Sequence, residues 1–300
     1  MVIRNRSFTC LLVSAAIIAV ALLMTVFGYG VNLGIDFAGG MSMEYNLGEK
    51  ADSDVVSAVL DDMRVGAYTV TVQGNNSDEV IIRLKDALQD DIQDLQTEFE
   101  TQIRKTYPNA VISGNGIGYV GPVAGRTLIT KAVLSVLIAS VLMLIYIAIR
   151  FDLNSGLSAV FGLVHDVLIM LSFMVIFRSL IQMNSSFIAA ALTIVGYSIN
   201  NTIVIFDRIR ENVRKMPAAD RVEIASTSVR ESLGRTICTT ATTLITIVLL
   251  CVLGVASIRE FALPIIIGIL SGVYSANLIN PYVWAFLEKK RAARKAAKKA

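Results

Sequence analysis

Six long apolar runs punctuate the 300 residues of the chain: Phe8 to Phe27, Leu128 to Ile149, Leu157 to Phe177, Phe187 to Phe206, Ile237 to Val255 and Phe261 to Leu287. Each is long enough to cross a hydrocarbon core of ~30 Å, which takes ~20 helical residues. Between the first and second runs the pattern changes. Met41 to Leu47 reads as extended, and Ala51 to Met63 places Val55, Val56, Val59 and Leu60 at helical spacing behind a cap at Asp52 or Ser53. Tyr68 to Gln73 and Glu79 to Leu84 alternate apolar and polar positions around Gly74-Asn75-Asn76, a hairpin signal. Leu88, Ile92, Leu95, Phe99 and Ile103 then mark one face of a helix that stops before Pro108, and Val111 to Val120 returns to strand-like spacing.

The insert therefore reads βαββαβ, a ferredoxin-like split unit. Such a domain can bind polypeptide through a sheet edge or groove, or serve as a docking module, and its fold does not choose between them. The predicted architecture is an α-helical membrane protein with six transmembrane helices and an inserted α+β domain. Residues 1–30 form a short N-terminus and the first span, 31–125 the insert, 126–287 five further spans and 288–300 a basic tail. The first run exceeds a signal-peptide core, and Phe27-Gly28-Tyr29-Gly30 is a poor cleavage site, so an uncleaved anchor is expected.

Composition agrees: 54% hydrophobic and 17% charged residues, with a mean hydropathy of +0.63, are too apolar for a soluble globule. Charge sets the orientation. Arg208, Arg210, Arg214, Lys215, Arg221, Arg230 and Arg235 crowd one loop, and the tail after Leu287 is basic, whereas the short loops on the other side offer Arg178 and Arg259. Both termini are expected in the cytoplasm and residues 31–125 outside. The net charge of +3 divides into −9 within residues 31–125 and +12 elsewhere. Because the basic groups flank spans, anionic lipid and topology account for them, and nucleic-acid binding is not expected. Cys10, Cys238 and Cys251 all fall within spans, so no disulfide or metal framework is readable and no cofactor is expected.

Polar groups inside the spans are few. His165 and Asp166 interrupt the third span near its middle, and Asp166 is the first candidate for a proton-responsive group, since ionisable residues at that depth usually mark function. A neutral Asp166 hydrogen-bonded to Asn200, Asn201 or a neighbouring threonine is the structural alternative. His165 reads as an interhelical hydrogen-bond donor. Thr236, Thr239, Thr240, Thr243 and Thr246 form a stripe on the fifth span behind Arg235, expected to join helices, with Thr239 and Thr243 at its centre. Gly268, Gly272, Ser275 and Ala276 make a small-residue face on the sixth, which Asn277 and Asn280 extend. Enzyme readings fail on inventory: one histidine cannot form a HExxH pair, and Asp166 stands alone where an aspartyl dyad needs two buried carboxylates. The chain is expected not to be an enzyme.

Glycine-rich segments border the insert: Gly34, Asp36, Gly39 and Gly40 after the first span, and Gly121, Pro122 and Gly125 before the second, read as hinges. Together with Arg150-Phe151, the segment ending in His165-Asp166, Gly196-Tyr-Ser-Ile-Asn200, and the run containing Asp207, Arg208, Arg210, Glu211 and Asn212, they resemble the SecD/SecF family of the RND superfamily, on its SecF side. The matching pieces cover nearly the whole chain. The resemblance implies an RND-type half-transporter that pairs with SecD, usually with YajC. It would work beside the SecYEG channel after SecA, using an ion motive force to draw preprotein outward across the bacterial cytoplasmic membrane. A standalone RND-like exporter of lipid or small molecules and a purely structural translocon assembly factor are the other readings.

One position departs from the family. Many members carry an Asp where this chain has Asn201, and that carboxylate is a favoured ion-coupling group; Asn does not titrate. Coupling then passes to Asp166 and to carboxylates of SecD, or amide oxygens of Asn200 and Asn201 bind a metal cation, or the subunit is mainly structural. The first reading is adopted. Arg235 matches a family arginine at the start of the fifth span and could balance a carboxylate, and its place near the interface equally fits a topology determinant.

Overall fold

The computed structural model describes residues 2–73, 78–84, 92–178, 181–254 and 256–297. The expected turn at Gly74-Asn75-Asn76, the apolar position Leu88, Val255 and the terminal lysines 298 and 299 lie outside the described residues. Helices long and apolar enough to span a membrane number six among the described residues. They are α1 (Val2–Val26), α5 (Pro122–Arg150), α6 (Leu153–Ile176), α7 (Ser186–Lys215), α8 (Arg221–Leu253) and a final rod. The rod comprises α9 (Ala256–Tyr274), a π-helical turn (Ser275–Ile279) and α10 (Asn280–Ala297). The chain is a multi-pass membrane protein.

Between α1 and α5 come a short helix α2 (Ile35–Ala38), β1 (Gly40–Asn46), α3 (Ser53–Asp62), β2 (Tyr68–Gln73), β3 (Glu79–Leu84), α4 (Ile92–Thr106) and β4 (Val111–Val120). The strands form one sheet in the order β2-β3-β1-β4, with each neighbouring pair antiparallel. Alternation places Met41, Met43 and Tyr45 of β1, with Leu47 just beyond it, and Val80, Ile82 and Leu84 of β3 on one face, where they are buried against Val56 and Leu60 of α3 and Phe99 and Ile103 of α4. Asp52 caps α3, its carboxylate accepting from the Asp54 N–H at 2.9 Å.

The membrane helices extend beyond the apolar runs. α7 continues past Phe206 to Lys215 and α8 begins at Arg221, not Ile237, because Ile209, Ile224, Ala225 and Val229 pack in one buried cluster of a helical hairpin beyond the long apolar runs. Asn212 closes it, donating to Ser228 Oγ at 3.0 Å and to Glu231 at 2.7 Å, while Arg208 reaches Glu231 at 2.7 Å. An apolar run reports only the part of a helix that must face lipid.

Helix α2 is not foreshadowed by the sequence pattern, and it changes how the glycines at the borders of the insert act. Gly39 and Gly40 turn the chain from α2 into β1 with φ of 80° and 122°, which side chains rarely tolerate. Gly125 lies so close to α2 that a Cβ there would sit 2.6 Å from the Phe37 carbonyl oxygen. The Gly34 N–H donates to Met183 O at 2.8 Å, the Met183 N–H to Asn32 O at 2.8 Å, and Asp36 accepts from the Ser185 N–H at 2.7 Å. The expected hinges are thus held together as a clasp on the start of α7.

Candidate functional site: a buried carboxylate between four helices

The middle of α6 is enclosed by α1, α7 and α9, so Gly162, Leu163, His165, Asp166, Ile169 and Met170 are all buried there. Asp166 is 0% exposed. A carboxylate at such a place must be met by donors or lose its charge. Four donors meet it. Ser198 of α7 donates to Oδ2 at 2.5 Å, Ser275 of the π turn to Oδ2 at 2.8 Å, and Ser271 of α9 to Oδ1 at 2.8 Å. His165 Nδ1 stands 3.0 Å from Oδ1.

Against an ionised Asp166, which only accepts, the hydrogen is on Nδ1 of His165. In the neutral ring Nε2 then accepts, and Ser14 Oγ of α1 stands 2.8 Å from it. The line Ser14–His165–Asp166 joins α1 to the shell of Asp166. Tyr274 stacks against His165 with ring centroids 6.1 Å apart and donates to Cys10 O at 2.8 Å. Ser14, His165, Ser271 and Tyr274 border a largely apolar cavity of about 280 Å³ between α1, α6 and α9. Adjacent residues diverge by ~100° on a helix, yet the short His165 and Asp166 side chains both fold toward α9 and meet.

Small residues permit this convergence. A Cβ at Gly268 would lie 2.3 Å from Ile194 Cδ1 and one at Gly272 3.3 Å from the Ser198 Cβ, so α9 reaches α7 close enough for Ser198 to share Asp166 with Ser271 and Ser275. The π turn begins at Ser275. Such widened turns commonly mark functional positions; here Ser271 and Ser275, one helical turn apart, reach the same carboxylate, and the π turn that begins at Ser275 leads into Asn280. Asn280 donates to Thr202 Oγ1 at 3.0 Å, accepts at its backbone oxygen from Ser158 at 2.6 Å, and lies in the space left by Gly162.

The other candidates stand apart from this shell. Asn201 is buried with its Nδ2 unpartnered, and Asn200 is exposed. Arg235 is exposed at the start of the threonine stripe. Thr239 is exposed and Thr243 half-buried, and their hydroxyls donate to carbonyls of their own helix, Arg235 O at 2.9 Å and Thr239 O at 3.1 Å. The bond that crosses from this stripe to α7 is Tyr197 Oη to Thr240, at 3.1 Å. Asp207 pairs with Arg150 at 3.3 Å, Arg208 with Glu211 and Glu231, and Gly196 lies in open space. The side chain of Pro122 is outside what is described; its ring position opens α5 behind Gly121. No three His, Cys, Asp or Glu side chains gather as a metal-binding group among the described residues.

The model of the protein export membrane protein SecD/SecF C-terminal family matches residues 98–290, and that of the SecD/SecF GG motif matches residues 26–49. The chain belongs to the SecD/SecF family. Among similar proteins, a protein translocase subunit SecF of Rickettsia bellii is 36% identical over 87% of this chain and 86% of its own. One from Calditerrivibrio nitroreducens is 34% identical over 88% and 86%. A crystal structure of SecDF from Thermus thermophilus, a translocon-associated membrane protein, superposes with a TM-score of 0.78 at 30% identity, covering 96% of this chain. SecDF in a super-membrane-facing form gives 0.67 at 29% identity over 98%. The chain spans 38% to 39% of those SecDF chains, so it corresponds to one part of them. Within the SecD/SecF family frame, the matched GG-motif segment is the clasp of Gly34, Asp36, Gly39 and Gly40 on α7.

Proposed function

We propose that the chain is an accessory subunit of Sec protein translocation, working as the SecF-type partner of a SecD chain, with Asp166 as its ion-coupling group. The observation that carries the coupling role is the shell of four donors, drawn from α6, α7, α9 and the π turn, around one fully buried carboxylate. Family membership and the SecF and SecDF relatives support the translocation role. Both termini face the cytoplasm and the βαββαβ domain faces outward, in keeping with the basic residues flanking α7, α8 and α10. SecYEG, with SecA and YajC, completes the assembly in which preprotein is the cargo.

Chemically, a proton arriving at Asp166 converts an acceptor into a donor. One of the bonds from Ser198, Ser271 or Ser275 must then break or reverse, and the grip between α7 and α9 changes. Ser14 and His165 supply a hydrogen-bonded approach from the cavity beside α1. The outer ends of the same two helices seat the external domain: Glu260 of α9 accepts from Arg83 of β3 at 3.0 Å and from Asn184, just before α7. A shift of α7 against α9 therefore reaches β3 directly. One charge crossing 100 mV supplies ~2.3 kcal/mol, enough to bias two states roughly fiftyfold.

The test is Asp166→Asn in cells, with SecD present. Export that depends on the ion gradient should fall about tenfold or more, while assembly with SecD persists. Unchanged gradient-dependent export removes Asp166 from coupling; loss of assembly with SecD points to the structural-factor reading.

A further inference from the structure

At the other end of the bundle, α6, α7, α8 and α10 enclose a second cavity of about 270 Å³. Arg210 and Arg214 of α7, Arg221 of α8 and Arg291 of α10 line it, above apolar walls that include Phe206 and Trp284. The guanidinium groups of Arg210, Arg214 and Arg221 have no hydrogen-bond or ion-pair partner among the described residues. The two carboxylates at the rim are already engaged. Asp152 caps α6 through Asn154 N and Ser155 N and accepts from Ser155 Oγ at 2.6 Å. Glu288 accepts from Asn154 and lies 3.7 Å from Arg291. Four arginines against two occupied carboxylates leave the cavity positive. Topology alone needs basic residues anywhere in these loops; it does not require them to converge from three helices on one hollow with an aromatic wall.

We infer that this cavity binds the headgroup of an anionic glycerophospholipid. Guanidinium forks match phosphate oxygens in pairs, and basic pockets between membrane helices at the bilayer surface suit such headgroups. Position selects lipid as the source of the phosphate. The cavity lies where membrane-spanning helices end, and Leu153, next to the cavity-lining Asp152, begins an exposed apolar face of α6 that continues at Leu157, against which acyl chains can lie while the headgroup occupies the hollow.

Trp284 is the single tryptophan of the chain and is 3% exposed, so emission excited beyond the tyrosine absorption band reports on the wall of this cavity. The purified full chain in neutral detergent is titrated with phosphatidylglycerol, cardiolipin, phosphatidylcholine, inorganic phosphate and polyglutamate, with lipid retention followed by native mass spectrometry. Phosphatidylglycerol and cardiolipin should change the emission saturably and remain bound. Arg214→Gln with Arg221→Gln should weaken both about twenty-five-fold, from roughly fivefold per arginine. An equal response to phosphatidylcholine overturns the inference, as does binding unchanged in the folded double variant. A match by phosphate reassigns the hollow to a free anion, and a match by polyglutamate to an acidic polypeptide; either overturns lipid. Should the double variant lose helix content, salt decides: phosphatidylglycerol binding to the unaltered chain must weaken as salt rises, and salt-independent binding overturns the inference.

Discussion

Arg83 of β3 and Glu260 of α9, 177 positions apart in sequence, form an ion pair at 3.0 Å with each side chain only 14% exposed. It ties the inserted domain to α9, whose Ser271 donates to Asp166. Glu260 accepts from Asn184 as well, so the pair bridges α9, the start of α7 and the sheet.

Replacing Arg83 by Met should therefore leave Glu260 partly buried beside Asn184 alone. The expected cost is up to about 3 kcal/mol, short of the value for a fully buried pair. Thermal unfolding of the purified chain measures it, and spin labels on α4 and α7 should report a broadened distance distribution. An unchanged distribution would mean that the clasp at Gly34 and Gly125 alone fixes the domain.

Removing a donor from Asp166 should destabilise the membrane bundle. Ser271→Ala and Ser275→Ala should each cost about 1.5–3 kcal/mol, the range for hydrogen bonds to a charged group. Because both serve one carboxylate, the double variant should depart from the sum. Ser135→Ala is the control: Ser135 is exposed and bonds only to Lys131 O of its own helix, so its melting temperature should not move.

Two glycines should differ sharply on gaining a methyl group. At Gly125 the Cβ meets the backbone of Phe37 at 2.6 Å, which cannot step aside, and Gly125→Ala should cost about 1–3 kcal/mol. At Gly272 the nearest atoms are 3.3 Å away, and the cost should stay below about 1 kcal/mol. Equal melting temperatures for the two variants would contradict the clasp.

Alkaline pH should weaken the inserted domain through Tyr45. Burial, followed by the charge of Glu100 and its hydrogen bond at 3.5 Å, pushes the Tyr45 hydroxyl above the ordinary tyrosine range. The folded state then keeps a proton that the unfolded chain releases near ~pH 10. Stability is whole below that pH and falls as pH rises toward the folded value. Tyr45→Phe should flatten this alkaline loss, read from far-UV circular dichroism of the chain between neutral pH and strong base.

Much of the architecture was legible in the chain itself. Apolar runs located the membrane helices because lipid leaves a residue no choice but to be apolar, and the alternation of Met41, Met43 and Tyr45 located β1 because one sheet face is buried. Helix ends were less legible. Where Ile209 and Val229 pack in one buried cluster beyond the long apolar runs, the requirement is amphipathic, not apolar, and the runs miss it. Asp166 stood out because a charge at that depth is costly, but its serines did not: Ser198, Ser271 and Ser275 look like ordinary small residues, and only the i,i+4 spacing of the last two hinted at a shared face.

Sequence by itself determined the membrane helices, the strand and helix order of the insert, and the presence of one carboxylate among apolar neighbours, since each is a local consequence of which solvent a residue meets. Tertiary structure decided which groups that carboxylate holds. Asn200, Arg235, Thr239 and Thr243 fell outside its shell, while serines from α7, α9 and the π turn entered it, because α7 and α9 approach closely where glycines lie opposite Ile194 and Ser198. Those are relations between distant segments, and no local pattern encodes them.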